Sequence, residues 1–386
     1  MPVTAPTAPL TTATASPAGH AYNDPTRQNW AFGHRAIPKL IGEVQSSDEA
    51  LQLQALHSLT CRLHEPVDVQ EALVAGADRE FCSFQVVRVL TCVLDIGAVP
   101  AISLSLSHAK PLVRARAVEI VVLLTEHEQG RAAVLGHSHV ETLIKLIADP
   151  EEAVRGLALQ ALWNVSQRTE QVQQIYTTLP HIIDHLLRAV TAEKSRSYQL
   201  LARVLETLHH FLQHGGAPVV AHTLKLGALT TLTKLLKSHV GGQAVRAAAA
   251  EDLAAICIHV TTLPDVAKQA HDAGLVPVLV ETMDDPFGAV RAAAVQAAMA
   301  LSIHVVSKQQ LVAEGVAEKL VRMVGEDQDE ELLMNALTAI ASISEDYTAR
   351  YAFQDVIGLI EQLKAHPNRA VAKAAASAVQ VVQWRP

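Results

Sequence analysis

The sequence predicts an all-α solenoid of about eight three-helix repeats, and three observations carry that prediction. The first is a recurring helix. "VRGLALQALWNVSQ", residues 154 to 167, puts Val154, Ala158, Ala161, Leu162 and Val165 on one helical face. Related strings begin at Val113, Val245 and Val290, and weaker copies at Leu51, Leu200, Leu332 and Val371. The second observation is the period: successive anchors lie 62, 41, 46, 45, 45, 42 and 39 residues apart. The third is composition, with aromatics at 4% and abundant Ala, Leu and Val, which suits helices packed closely through small side chains.

Each anchor helix is preceded by a shorter one announced by glycine, at Gly97, Gly227, Gly274 and Gly315. Glycine ends one helix in a left-handed conformation, and Pro100 or Pro277 then fits the first turn of the next. Loops such as "ADPEEA" (Asp149, Pro150) and "MDDPFGA" (Asp285, Pro286) supply stops and caps before the anchors. A short helix, a glycine turn, a second helix, a tight loop and a long anchor helix make the armadillo pattern, and its right-handed superhelix is the expected architecture.

In chain order, residues 1–22 read as a disordered Pro/Thr/Ala-rich arm, and 23–386 as one armadillo-repeat solenoid. "AFGHRAIPKLIGEVQSSDEALQLQALHSL" supplies the first pair of helices. The 62-residue interval exceeds the others, and the excess falls near 74–95 as an irregular insertion: an added helix, a degenerate unit or a stretch peculiar to this chain. At the far end, "VAKAAASAVQVVQWRP" has Lys373, Gln380 and Gln383 interrupting its apolar face and serves as a closing helix.

Composition excludes several functions. A net charge of -8 and a pI near 6.2 give no basic field for nucleic acid or an anionic membrane. The most apolar stretch, 86–106, is broken by Arg88, Asp95 and Pro100, so burial in protein is expected. Cys61, Cys82, Cys92 and Cys257 are far apart and read as reduced core residues. The opening has no Lys or Arg before Arg27 and no long apolar core, which argues against a secretory signal or an Arg-rich transit peptide.

The first hundred residues carry more than a repeat. "NDPT" (Asn23 to Thr26), "AFGHRAIPKL" (Ala31 to Leu40), Glu43, "QSSD" (Gln45 to Asp48), "QAL" (Gln54 to Leu56) and "HEP" (His64 to Pro66) together resemble the radial spoke protein 14 family. "DPEEAVRG" (Asp149 to Gly156) and "QWRP" (Gln383 to Pro386) look like that family too. Residues 74–95 and the arm before Asn23 depart from its pattern, and the sister radial spoke protein 8 stays open. The resemblance implies a non-enzymatic scaffold of the axonemal radial spoke in motile cilia or flagella. It implies a cytoskeletal place in the cytoplasm and other radial spoke proteins as partners in a large hetero-complex. The competing reading from the repeats alone is a soluble armadillo adaptor that binds peptides of cytoplasmic partners.

A search for chemistry gives a binding surface and no catalytic, cofactor or metal site. Nucleotide-binding, GxSxG and HEXXH motifs are absent, and His137 with His139, or His209, His210 and His214, find no carboxylate or Cys to complete a metal set. Small-molecule substrates, nucleic acid and membranes are not expected partners. Paired carboxylates (Asp284, Asp285) and the run "EDQDEE" (Glu326 to Glu331) read as solvated turns. Peptide-clasping armadillo proteins use a ladder of Asn ten residues after each anchor, yet here only Asn164 is Asn, and His210 occupies the next rung. Asn164 therefore reads as a local helix or loop contact. Six residues after the anchors stand Glu119, Gln160, Glu206, Glu251 and Gln296, preceded by His57. These are expected to face solvent as an acidic and amide strip that accepts hydrogen bonds from a basic or helical partner, or else form an ordinary solvated face. Glu119, Gln160, Asn164, Glu206, His210, Glu251 and Gln296 are thus the candidate protein-binding groove. Arg114, Arg155, Arg246 and Arg291, one residue after their anchors, are expected to reach a neighbouring repeat's carboxylate or carbonyls.

Overall fold

The computed structural model describes residues 36–64, 98–136, 139–194, 196–238, 241–326 and 329–384. The expected arm and the expected irregular stretch near 74–95 lie outside the described residues, as do Gly97 and His137. All regular structure among the described residues is helical. The chain forms two compact units, Met1–Ala133 and Val134–Pro386.

In the first unit, α1 (Ala36–Val44) and α2 (Glu49–His64) pack on each other, while α3 (Ala98–Leu106) packs on α1 and on α4 (Pro111–Thr125). Helix α4 also lies along α2. Leu40, Leu56, Leu59, Ile102 and Leu106 are closed off from water and make the core. One buried amide pins three helices: Gln52 Nε2 donates to the Val44 carbonyl at 2.9 Å and to Ser105 Oγ at 3.2 Å. Asp48 caps α2 by accepting from the Ala50 amide at 3.0 Å. Helix α5 (Glu128–Leu135) follows α4 in the chain.

The second unit repeats one arrangement. After α6 (His139–Leu146) and α7 (Glu152–Val165) come four triplets: α8 to α10 (Thr169–Thr178, Ile182–Glu193, Tyr198–His214), α11 to α13 (Gly216–Lys225, Ala228–Lys237, Gly242–Cys257), α14 to α16 (Asp265–Asp272, Leu275–Thr282, Gly288–Leu301) and α17 to α19 (Val305–Ala313, Val316–Glu326, Glu330–Ile343). A fifth triplet, α20 to α22 (Tyr347–Gln354, Ile357–Leu363, Arg369–Val382), closes the series. The long third helices α7, α10, α13, α16, α19 and α22 stack each on the next. Their alanines explain the stacking: Ala158, Ala161, Ala249, Ala250, Ala294, Ala297 and Ala336 are fully buried, and their small side chains let helix backbones approach.

The glycine turns stand where the sequence placed them. Gly227, Gly274 and Gly315 have φ of 73°, 64° and 78°, and a Cβ added at any of them meets nothing within 4 Å. Only the left-handed backbone demands glycine there.

The anchor arginines do something the sequence did not show. Arg155 Nη1 donates to the carbonyls of Asp149 and Pro150 at 3.0 and 3.1 Å, and Arg291 Nη1 to those of Asp285 and Pro286 at 3.0 and 3.3 Å. Arg114 Nη1 does the same to His108 and Ala109, both at 2.8 Å. Each guanidinium reaches back six and five residues to close the loop before its own helix, so these carbonyls are not a neighbour's, as expected, but the same repeat's. Asp149 and Asp285 complete the loop by accepting from the amides of Glu151 and Phe287, each at 2.9 Å. Carboxylates of the next repeat are met by Arg155, on Glu193, and by Arg246, on Asp285.

Candidate protein-binding groove

The third helices carry every residue of the candidate strip, but the residues are not equivalent. In the first unit, Glu119 on α4 is not the solvent-facing group the sequence predicts. Its side chain is 15% exposed and lies 2.8 Å from Arg116 Nη1, and burial lifts its carboxyl to about 7.

In the second unit, the residues nearest the start of the series already have partners within the chain. Gln160 Nε2 on α7 donates to Asn164 Oδ1 at 3.0 Å, and Asn164 is buried, so it makes the local contact that the missing ladder implied. His210 on α10 packs on the Trp163 ring at 5.3 Å with its Nδ1 3.0 Å from Ser166 Oγ. Burial, together with the neighbouring His209 and His214, lowers the His210 imidazole to about 4, which leaves it neutral at ordinary pH. Glu206 pairs with Arg203 Nη1 at 2.9 Å, and the Arg203 guanidinium also lies over Trp163, 5.5 Å from the ring centre.

Farther along, the strip opens. A cavity of about 330 Å³ spans four successive third helices, with His209 and Leu212 from α10, Glu251 and Ala255 from α13, Gln296 from α16 and Glu331 from α19. Ile258 and His259, just beyond α13, also line it, and Ile258 is half exposed. Among the described residues, no donor meets the side chains of Glu251, Gln296 or Glu331. Burial raises the Glu251 carboxyl; His209 opposes this, and the Glu206 and Glu331 carboxylates add to it.

Next to Glu251 on α13, Asp252 is fully buried, with neither carboxylate oxygen in a well-formed hydrogen bond. Its near cation is His209, at 3.4 Å from Nδ1 to Oδ1, an ion-pair contact longer than a well-formed hydrogen bond. Burial pushes the Asp252 carboxyl up to about 7, with His209 opposing. Burial works against the His209 cation too, but Asp252 and Glu251 outweigh it and hold the imidazole above its ordinary value.

Sequence offsets found Glu251 and Gln296 but missed His209, Ile258 and Glu331. Glu331 lies in the first turn of α19, not in the solvated turn read from "EDQDEE", and Glu326 ends α18. The signal was there: an acidic run directly before an anchor starts a helix, where its charge suits the helix dipole. A smaller apolar cleft of about 210 Å³, with Val140, Ile175 and Leu179 in its wall, contains none of the candidate residues. Among the described residues, no cluster of His, Cys, Asp and Glu has the arrangement of a metal site, and no helix is long and apolar enough to cross a membrane.

Comparison with known proteins supports the architecture. Residues 88–215 match the family model of Cnd1, the non-SMC mitotic condensation complex subunit 1. An engineered protein of known structure is similar over 91% of this chain and 89% of its own, at 20% identity and a TM-score of 0.71. A designed armadillo repeat protein in complex with the peptide (KR)4 is similar over 64% of this chain and all of its own, at 21% identity and a TM-score of 0.55. A structure concerned with a phosphorylation switch in the interaction between cadherin and beta-catenin matches 90% of this chain and 60% of that one, at 16% identity and a TM-score of 0.67. The chain has the fold of an armadillo-type α-solenoid.

Proposed function

We propose that this chain is a non-enzymatic structural subunit of the axonemal radial spoke in motile cilia or flagella, where its repeat surface holds other spoke proteins in register. The observation that carries the reading is the N-terminal block from "NDPT" to "HEP", which resembles the radial spoke protein 14 family. The structure is compatible with it: part of that block forms α1 and α2, where Ile37, Leu40, Ile41, Ala55 and Leu56 are core residues. Stacked repeats give each layer its own contact area without requiring movement, which suits a mechanical spacer.

A peptide-binding adaptor is the second reading, favoured by the carboxylates of the cavity and by the fold's likeness to a designed armadillo protein that holds a (KR)4 peptide. Fractionation of demembranated axonemes separates the two. A spoke subunit stays with the microtubules through detergent and moderate salt and leaves with the other spoke proteins only in harsh salt. Release into the detergent wash would overturn the spoke reading.

A further inference from the structure

We infer that the edge of the second unit where its last four third helices end is a self-association surface, and that it is covered by the same edge of a second copy of this chain, laid antiparallel across a twofold axis. The surface uses none of the candidate groove residues, and the inference goes beyond the proposed function.

Large apolar side chains stand in water where these helices end. Ile258 directly follows α13 and is half exposed. Ile303, Val305 and Val306 follow α16, with Val305 65% exposed in the first turn of α17. Tyr347 opens α20 just after α19 and is 68% exposed; Tyr351 lies one turn on, and Trp384 follows α22. The corresponding places earlier in the unit are polar or small: Gln167, Arg168 and Thr169 follow α7, and Gly215, Gly216 and Ala217 follow α10. Contacts within the chain join the exposed groups from layer to layer. The turn Ile258–Thr261 packs on α16, and Lys308 of α17 pairs with Glu345, two residues before Tyr347. The Tyr347 and Tyr351 rings meet edge to face at 5.2 Å. Arg350, between them, donates to the Trp384 carbonyl at 3.0 Å and lies over the Trp384 ring, 5.1 Å from its centre.

Area, charge and shape together point to a second copy. The seven side chains, each half exposed or more, offer on the order of 700 Å² of apolar surface, more than a lone molecule ordinarily leaves open and close to the ~800 Å² per partner of a stable association. The charges set among them already have partners in the chain: Lys308 with Glu345, Asp346 with the amides of Thr348 and Ala349, and Arg350 with the carbonyls of Ser344 and Trp384. Covering the edge therefore strands none of these charges, and a partner recognised by charge finds none of them open. What fits is an equally apolar and equally long edge. Its two ends differ, with flat rings at α20 and α22 and branched aliphatic groups after α13 and α16. A twofold axis across the middle lays each copy's rings on the other's isoleucines and valines and makes every contact twice.

The test is the mass of the full chain in solution, by light scattering and sedimentation equilibrium between about 1 and 100 µM. The mass is expected to rise with concentration from one copy's 41.4 kDa towards twice that value. Val305→Glu with Tyr347→Glu places a charge on both halves of the edge, at first-turn positions where an acid suits the helix dipole, and is expected to weaken association roughly tenfold or more. Tyr198→Ser with Leu226→Ser removes two exposed apolar groups elsewhere in the unit and is expected to leave it within about twofold. Circular dichroism of each variant confirms that folded proteins are compared. A single-copy mass throughout for the unsubstituted chain, a doubled mass kept by the Val305→Glu and Tyr347→Glu variant, or equal losses in the two double variants would overturn the inference.

Discussion

Arg155 on α7 and Glu193 at the end of α9 meet at 2.7 Å, with side chains only 5% and 2% exposed, so an ion pair from two adjacent repeats is enclosed between them. The same guanidinium holds the carbonyls of Asp149 and Pro150, so one side chain closes its own loop and fixes the next layer. Removing it leaves a buried carboxylate and two carbonyls without their donor. Arg155→Met is expected to destabilise the second unit by about 3–5 kcal/mol, and Arg155→Met with Glu193→Met to recover part of that loss. Urea unfolding followed by circular dichroism measures both, and an unshifted midpoint in the single variant would show that the pair is not a joint between repeats.

One substitution should have opposite signs at two glycines. Gly274 has φ of 64° with open space around an added Cβ, so Gly274→Ala is opposed by backbone strain alone and should lose roughly 1–2 kcal/mol. Gly358 lies within α21, exposed, with nothing within 4 Å of an added Cβ and no left-handed backbone. There Gly358→Ala should gain about 0.5–1 kcal/mol by helix propensity. Melting temperatures that move the same way for both would refute the assignment of the Gly274 turn.

The third helices were legible because their alanine and valine positions repeat at helical spacing inside a nearly constant period, and Ala161, Ala297 and Val290 are all buried as that pattern requires. The groove was legible only in part, for a geometric reason. At 100° per residue, a position six after the anchor lies roughly 120° from it, on the flank of the helix, where the next layer decides burial. Glu119 is thus covered while Glu251 is open. A position ten after the anchor lies roughly 80° away, nearer the core, which accounts for buried Asn164. The arginine loop contacts were hidden because each joins a side chain to carbonyls, and a carbonyl leaves no residue type to notice.

The close stacking of α7 on α10 can be tested with one methyl-to-isobutyl change. Ala158 and Ala161 are fully buried, and Leu201, Leu205 and Leu208 fill the core on the α10 side. Ala161→Leu should overpack this layer and lower stability by about 1–3 kcal/mol, whereas Ala153→Leu, at an exposed position in the first turn of α7, should change little. Chemical denaturation of the two variants decides the point, and equal midpoints would mean the face is wrongly assigned.

Burial of Asp252 makes stability depend on pH in a defined direction. Its carboxyl is raised from 3.8 to about 7, so between those values the folded chain holds a proton there that the unfolded chain has released. Stability from this site therefore falls as pH rises from about 4 to about 7 and is flat above. His209, also raised, acts in the same sense, because its charged form is favoured in the fold and is lost as pH rises through its folded value. His210, lowered from 6.5 to about 4, works the other way, with stability rising across that interval. Asp252→Asn removes the carboxyl but leaves His210 unchanged, so the variant should lose the falling component. Its stability relative to the unsubstituted chain should improve between pH 5 and pH 8, a window set by the shift of Asp252 to about 7. Urea midpoints of both proteins at these two pH values provide the measurement, and parallel behaviour would show that Asp252 is ionised in the fold throughout.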